Sequence, residues 1–227
     1  MPDRSITQMP TKAEEADPVK RRHAAWNIAH ELIERVPTPA EEGDVHVRRW
    51  VSWRIDPGKI TSVPTPEQED DEAVRCHCAD GIPPKLIVRM PTPEEQSCPV
   101  VRQRLARRIP VANIKRLPAL AEEWDDCVRE ILAERIAPEL IAAIPTQENE
   151  PNGMVRCLAA GRILAERIDR VRSRAEDTDD GVRRKIAMKI DPKKIEVPED
   201  ETDKIVLSWL ARRKSQARPG STGPGHR

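Results

Sequence analysis

Residues 101–117 have the sequence VRQRLARRIPVANIKRL, and residues 128–144 have the sequence VREILAERIAPELIAAI. Both stretches contain a Val-Arg pair, a Leu-Ala pair and an isoleucine at the eighth position after the valine. The Val-Arg pair recurs every 27 residues, at Val47, Val74, Val101, Val128, Val155 and Val182. A fixed period of this length is typical of tandem-repeat architectures. The sequence therefore predicts a repeat protein whose fold is decided by this unit.

The repeat unit combines a capped helix with a short second helix. Counted from the valine, apolar residues stand at positions 0, 4, 5 and 8, as in Val128, Leu132, Ala133 and Ile136. This spacing covers one face of a helix of about 12 residues. A proline such as Pro138 suits the first turn of a second helix, either 3₁₀ or a single α-turn, before a Pro-Thr-Pro-Glu loop. Strong N-cap residues precede the valines by three positions, at Asp44, Asp71, Asp125, Asn152, Asp179 and Asp203.

The chain is predicted to be all-α, because no segment alternates polar and apolar residues in the manner of a strand. About eight 27-residue repeats would occupy residues 1–213 as one solenoid. The first unit has Val19-Lys20 one position ahead of the expected place, and the step from Val182 to Val206 is shorter than the others by three positions. Residues 214–227 are rich in Gly, Pro and Ser and are predicted to be a disordered tail.

Composition narrows the expected partners and compartment. The 39 basic residues balance the 39 acidic residues, so the chain as a whole is not expected to attract nucleic acid or anionic lipid. Five cysteines without paired spacing predict free thiols. The sequence has no apolar run suited to a signal peptide or a membrane span, which predicts a cytoplasmic protein with no membrane partner. No cofactor and no particular oligomeric state is indicated.

Two stretches, Val101–Leu117 and Val128–Ile144, resemble units of the leucine-rich repeat variant family, which is related to HEAT-like repeats. The shared pattern is V-R-x-x-L-A-x-R-I followed by P-x-x-L/I-x-x-L. The resemblance implies one α-helix and one 3₁₀ helix per repeat, stacked into a right-handed superhelix without strands. One branch of the family has a cysteine-ligated iron–sulfur cluster ahead of the repeats. That cluster is not expected here, because no cysteine precedes Cys76.

One arginine follows each repeat valine and lies about 100° from it around the helix, inside the apolar face. We expect these guanidinium groups to point into the stack and to donate to carbonyls or to cap carboxylates of adjacent units. The pattern predicts a structural ladder, and phosphate binding by the same residues is the alternative. The arginines are Arg48, Arg75, Arg102, Arg129, Arg156 and Arg183.

Positions 2, 3 and 6 after the valine are predicted to face solvent and to bind partners. Trp50 and Trp53 fall on this face in a chain without Phe or Tyr, and exposed Trp beside Arg is typical of binding hot spots. In the alternative, an irregular N-terminal segment covers both tryptophans. The candidate partner-binding residues are Arg49, Trp50, Trp53, His77, Arg104 and Arg107.

The cysteines and histidines are not expected to bind a metal. His46, Cys76, His77 and Cys78 lack the second ligand pair of a zinc motif. Cys76 is expected to face outward, whereas Cys78 is expected in the core. The remaining thiols are expected to act as small apolar residues, at Cys98, Cys127 and Cys157.

The acidic loop residues are expected to form a solvated rim along one edge. No nucleophile elbow, Gly-rich phosphate loop or HExxH pattern occurs, so an enzyme is not expected. The loop glutamates are Glu41, Glu42, Glu67, Glu94, Glu95, Glu122, Glu123 and Glu148.

The predicted function is a non-catalytic scaffold that binds another protein through the solenoid surface. The alternative is a nucleic-acid-binding solenoid, because several basic residues share the exposed helix face. Glu130 and Glu134 interrupt that basic stripe, which weakens the alternative. The stripe consists of Arg49, Arg104, Arg107, Arg184 and Lys185.

Overall fold

The computed structural model describes residues 6–216, which contain eight α-helices, seven 3₁₀ helices and no strand. The α-helices are α1 (Pro18–Asn27), α2 (Val45–Arg54), α3 (Glu72–Gly81), α4 (Pro99–Arg108), α5 (Asp126–Arg135), α6 (Gly153–Arg162), α7 (Asp180–Lys189) and α8 (Lys204–Gln216). The 3₁₀ helices are η1 (His30–Leu32), η2 (Pro57–Lys59), η3 (Pro84–Leu86), η4 (Val111–Asn113), η5 (Pro138–Leu140), η6 (Ala165–Arg167) and η7 (Pro192–Lys194). The predicted all-α repeat fold is confirmed.

The helices keep the sequence period. The first residues of α1 to α7 are evenly spaced at the step of the repeat valines, and the step from α7 to α8 is shorter, as it is from Val182 to Val206. Each of α1–α7 has ten residues, fewer than predicted, because the recurring isoleucine ends the helix. Ile55, for example, leaves the helical conformation at ψ 142°, while its N–H still donates to the Val51 carbonyl. The short second helix is 3₁₀ in each of these units.

Acidic and amide side chains cap the helices as predicted. The Asp71 carboxylate accepts the Val74 N–H, and the Asn152 side chain accepts the Met154 N–H. These bonds satisfy N–H groups that have no partner within the helix. Helix α4 is the exception, because Cys98 stands at its N-cap and makes no side-chain capping bond.

The chain divides into two compact units, Met1–Asn113 and Ile114–Arg227. In the first, consecutive helices from α1 to α4 pack on one another, and in the second the same holds from α5 to α8. The predicted apolar face is buried in α5, at Val128, Leu132, Ala133 and Ile136. The isoleucine after each short helix is also buried, at Ile33, Ile60, Ile87, Ile114, Ile141, Ile168 and Ile195.

The first repeat, which contains α1, follows the period more closely than the sequence suggested. Val19 is 64% exposed, Lys20 occupies the valine position, and Arg21 is buried at the arginine position. The interpretation of a one-residue shift in the first repeat is therefore wrong. At the other end, α8 extends to Gln216, and residues 217–227 of the predicted tail lie outside the described residues. The single solenoid over residues 1–213 and its right-handed sense stay predictions.

Candidate functional site

The arginine that follows the repeat valine is buried in each helix from α2 to α7. Arg48 donates from Nε and Nη2 to the Glu69 carboxylate of the next repeat, at 2.8 and 2.9 Å. Its Nη1 donates to the Glu42 carbonyl oxygen at 2.8 Å. The Glu69 carboxylate also accepts the Asp71 N–H at 2.9 Å. One buried bidentate pair therefore ties the helix of one repeat to the loop of the next.

The same pair recurs in both units, and we call the set the arginine ladder. Its members within the described units are Arg21–Glu42, Arg48–Glu69, Arg129–Glu150, Arg156–Asp177 and Arg183–Glu201. Arg21 was not among the predicted arginines, although it stands one period before Arg48. Glu42 and Glu123 were expected in the solvated rim. That expectation is wrong, because each of them is only 4% exposed.

The first glutamate of the loop pair remains exposed and closes the turn. Glu41 pairs with Arg35, and its Oε2 accepts the Thr38 N–H at 2.9 Å. The Arg35 guanidinium and the Thr38 amide lower the pKa of Glu41 to about 2. Exposed pairs of this kind contribute little to stability. Equivalent pairs are Arg89–Glu95, Arg116–Glu122 and Arg170–Glu176.

A second set of cations satisfies the carbonyl groups at helix ends, which have no partner within the helix. Arg108 donates to the Ile82 carbonyl at 2.6 Å, and Arg162 donates to the Ile136 carbonyl at 2.8 Å. Lys59 donates in the same way to the Ile33 carbonyl after η1, at 2.9 Å. These contacts were not predicted from the sequence, although the cations recur with the repeat.

The arginine ladder is interrupted between α3 and α4. Gln96 stands where other repeats have a carboxylate, and its Nε2 donates to the Pro64 carbonyl at 3.1 Å. Arg75 is 6% exposed and donates from Nη1 to the Glu69 carbonyl at 2.5 Å. Within the described residues, Arg75 Nε and Gln96 Oε1 have no hydrogen-bond partner. Arg75 is therefore a buried cation without the acidic partner found elsewhere.

Three tryptophans from α1 and α2 come together on the exposed helix face, and we call Trp26, Trp50 and Trp53 the Trp cluster. The ring centroids are 4.1 Å apart for Trp26 and Trp50, 5.5 Å for Trp50 and Trp53, and 6.4 Å for Trp26 and Trp53. Trp26 is 47% exposed and Trp53 is 60% exposed, whereas Trp50 is half-buried. The N-terminal segment therefore does not cover Trp53. Trp26 was missed, although it stands one period before Trp53.

The basic candidates on the exposed face are partly committed to ion pairs. Arg49 donates to both carboxylate oxygens of Asp71, with Nε at 3.0 Å from Oδ1 and Nη2 at 2.6 Å from Oδ2. Arg104 pairs with Asp80. Arg107 is exposed.

His77 is half-buried, and its Nδ1 lies 3.0 Å from Ser52 Oγ. Burial and the nearby Arg104 guanidinium lower the pKa of His77, so the ring is neutral near pH 7. His77 can therefore accept or donate a hydrogen bond without carrying charge.

A comparison with solved structures supports the repeat architecture. The chain is similar to a structure described as a leucine-rich repeat variant with a novel repetitive protein structural motif. The sequence identity is 21%, the TM-score is 0.56, and the match covers 89% of this chain and 78% of the other. The chain has a leucine-rich repeat variant fold. The sequence matches no protein-family model and no curated protein.

In this leucine-rich repeat variant fold, two cysteines lie elsewhere than predicted. Cys76 is 6% exposed, because it faces Cys98 of the next repeat rather than solvent. Cys127 is exposed, because the position before the repeat valine faces away from the stack. Cys78 lies in the core as expected, and burial raises the pKa of its thiol to about 12.

No helix among the described residues of this fold has both the length and the apolar character that crossing a membrane requires.

Proposed function

We propose that the chain is a non-catalytic scaffold and that another protein docks on the Trp cluster. The observation that carries the proposal is the convergence of three indole rings, two of them about half exposed, in a chain with five Trp and no Phe or Tyr. Large rigid aromatic side chains that lose water on binding supply much of the energy of protein interfaces.

The repeat itself does not require tryptophan at these positions. Trp26 and Trp53 occupy position 6 counted from the valine position, where later repeats have Asp80, Arg107 and Glu134. Those repeats form the same helices, so aromatic residues at position 6 serve no purpose that is common to the stack. A local function at α1 and α2 explains why two neighbouring repeats share them.

The polar candidates would surround the docked partner. Arg49 extends from the same helix as Trp50 and Trp53, and its pairing with Asp71 fixes the guanidinium while balancing its charge. His77 lies on the next helix and contributes a neutral polar group. Arg104 and Arg107 of α4 extend the surface. A polar rim around an aromatic centre is the usual anatomy of such an interface.

The nucleic-acid alternative has weaker support. Arg49, Arg104 and Arg184 are each paired with an aspartate, and those carboxylates would compete with phosphate for the same guanidinium groups. A cytoplasmic location is part of the proposal. It is supported by the five cysteines, all of which are free thiols.

The test compares partner recovery by three proteins purified from the native cell. We expect Trp26→Ala/Trp53→Ala to lose a partner that wild type retains. Trp124→Ala is the matched control, because Trp124 is 55% exposed and lies outside the cluster. Circular dichroism checks that the helices of each variant are intact. Recovery of the same partners by all three proteins would rule out docking on the Trp cluster.

A further inference from the structure

Two cysteines and a glutamate meet at the interface between α3 and α4. The Sγ atoms of Cys76 and Cys98 and a carboxylate oxygen of Glu72 all lie within 4.8 Å of one another. Both cysteines are more than nine-tenths buried, and Glu72 is exposed. The cluster is therefore closed on the side of the helices and open to water on the side of Glu72.

The two thiols occupy positions where the two preceding repeats have an ion pair. The residue two after the valine position faces the N-cap residue of the next repeat, as in Arg22–Asp44 and Arg49–Asp71. Cys76 and Cys98 stand at these two positions. Cysteine thus replaces both the arginine and the aspartate, and the two thiols face each other as the charged groups do in the two preceding repeats.

Packing does not account for the replacement of the Arg–Asp pair by two cysteines. Cys98 leaves α4 without the side-chain cap that Asp71 supplies to α3. The pair also replaces the bidentate contact made by Arg49. The interface thus lacks two polar interactions that its neighbour has, and a ligand bound between the thiols would compensate for their loss.

The surrounding charge favours an anionic complex. Arg75 is adjacent to Cys76 in sequence. It has no carboxylate partner, because Gln96 stands where other repeats of the arginine ladder have an acid. The Arg104 guanidinium also lies near the Cys76 thiol. Positive charge beside the two thiols favours their deprotonated, metal-binding form.

We propose that Cys76, Cys98 and Glu72 form a binding site for a zinc ion. Thiolate sulfur and carboxylate oxygen are ligands that zinc accepts together, and three protein ligands leave a fourth position for water. Binding forms two Zn–S bonds and one Zn–O bond and releases both thiol protons to solvent. The three anionic ligands and Zn²⁺ together carry a net charge of −1, which the Arg75 guanidinium offsets.

Cobalt is the probe, because Co²⁺ takes the place of zinc and reports thiolate ligands by charge-transfer absorption. The reduced full-length protein is titrated with Co²⁺ and then with Zn²⁺. We expect a thiolate charge-transfer band that saturates at one metal ion per chain and disappears when zinc displaces the cobalt. A reduced wild-type protein without this band would overturn the proposal.

Variants assign the band to the proposed ligands. Cys76→Arg/Cys98→Asp restores the pair seen at Arg49–Asp71, so it is expected to fold and to lose the band. If that variant does not fold, Cys76→Ser, which nearly preserves the volume, takes its place. The matched control is Cys127→Ser/Cys157→Ser, which leaves the site intact and should keep the band. A band that survives in the first variant, or disappears in the control, would contradict the assignment.

Glu72→Gln tests the third ligand. Loss of a ligand should weaken affinity at least as much as loss of an outer partner, about 10- to 100-fold. Glu130→Gln is the control and should leave affinity unchanged. Equal affinities for wild type and Glu72→Gln would show that the carboxylate is not part of the site.

Discussion

Two neighbouring interfaces in the first unit have the same apolar core but different polar contacts. Between α2 and α3, Arg48 pairs with Glu69 and Arg49 pairs with Asp71. Asp71 also caps α3, so one carboxylate links two repeats and starts a helix. This interface has the full set of polar contacts.

Between α3 and α4 these contacts are absent or changed. Gln96 replaces the ladder carboxylate, and Cys76 and Cys98 replace the arginine and its cap. The helices nevertheless pack with Val74 and Val101 buried as at the neighbouring interface. The comparison shows that apolar packing places the helices, while the polar contacts add stability at each interface separately, as expected for a repeat protein.

The largest expected effect comes from replacing the ladder glutamate of the α2–α3 interface, Glu69, by the glutamine that the α3–α4 interface has at Gln96. Glu69→Gln removes the buried carboxylate that binds Arg48 and leaves the guanidinium only the exposed Asp70 carboxylate. We expect a loss of about 3–5 kcal/mol in the free energy of unfolding, measured by urea denaturation. Glu67→Gln, in the same loop but exposed, should change it far less. Equal losses would show that the pair does not stabilise the interface.

The reverse exchange should strengthen the irregular interface. Gln96→Glu supplies a carboxylate to Arg75, whose Nε has no partner among the described residues. A hydrogen bond to a charged group contributes about 1.5–3 kcal/mol, and burial of the new charge reduces that gain to about 1–2 kcal/mol. The urea midpoint should rise. A fall would mean that the site around Arg75 is shaped for something other than a carboxylate.

Restoring the cap should have a smaller effect. In Cys76→Arg/Cys98→Asp, the new aspartate can accept N–H groups at the start of α4, which has no side-chain cap. Caps contribute about 1 kcal/mol. Thermal unfolding in the presence of reductant and chelator measures the gain without metal. An unchanged melting temperature would show that Pro99 already makes the cap unnecessary.

The smallest effect concerns the exposed turns. The pKa of Glu41 is lowered to about 2, below its ordinary value of 4.5, so its contribution to stability is present above pH 4.5 and is lost as the pH falls toward 2. Because the pair with Arg35 is exposed, the loss should be under about 1 kcal/mol. In an acid titration by NMR, the Thr38 amide should shift, whereas the Leu86 amide, which donates to the Pro83 carbonyl, should not. Parallel shifts would contradict this assignment.

Periodicity predicted the features that most repeats share. The apolar face at Val128 and Ile136, the cap at Asp71 and the inward position of Arg48 all follow from spacing along one helix. Residues whose surroundings depend on the next repeat were harder to predict. Cys76 was placed outside because a single helical wheel does not include the neighbour that covers it.

The partners of the arginine ladder were also missed from the sequence. Glu42 belongs to an irregular loop, where helical spacing gives no direction for the side chain. Its recurrence at Glu69 and Glu150 in the same register was the available signal. Trp26 was overlooked because Val19 suggested a shifted first unit. Contacts between repeats can be predicted only when neighbouring repeats are considered together, not one repeat alone.

The most direct test of the account compares Arg129→Ala with Arg107→Ala by urea denaturation. Arg129 is fully buried and pairs with Glu150, with Nε 2.7 Å from Oε2, whereas Arg107 is exposed. We expect Arg129→Ala to lose about 3–5 kcal/mol and Arg107→Ala to change the free energy of unfolding by no more than about 0.5 kcal/mol. Equal small losses in the two variants would contradict the conclusion that the arginine ladder stabilises the repeats.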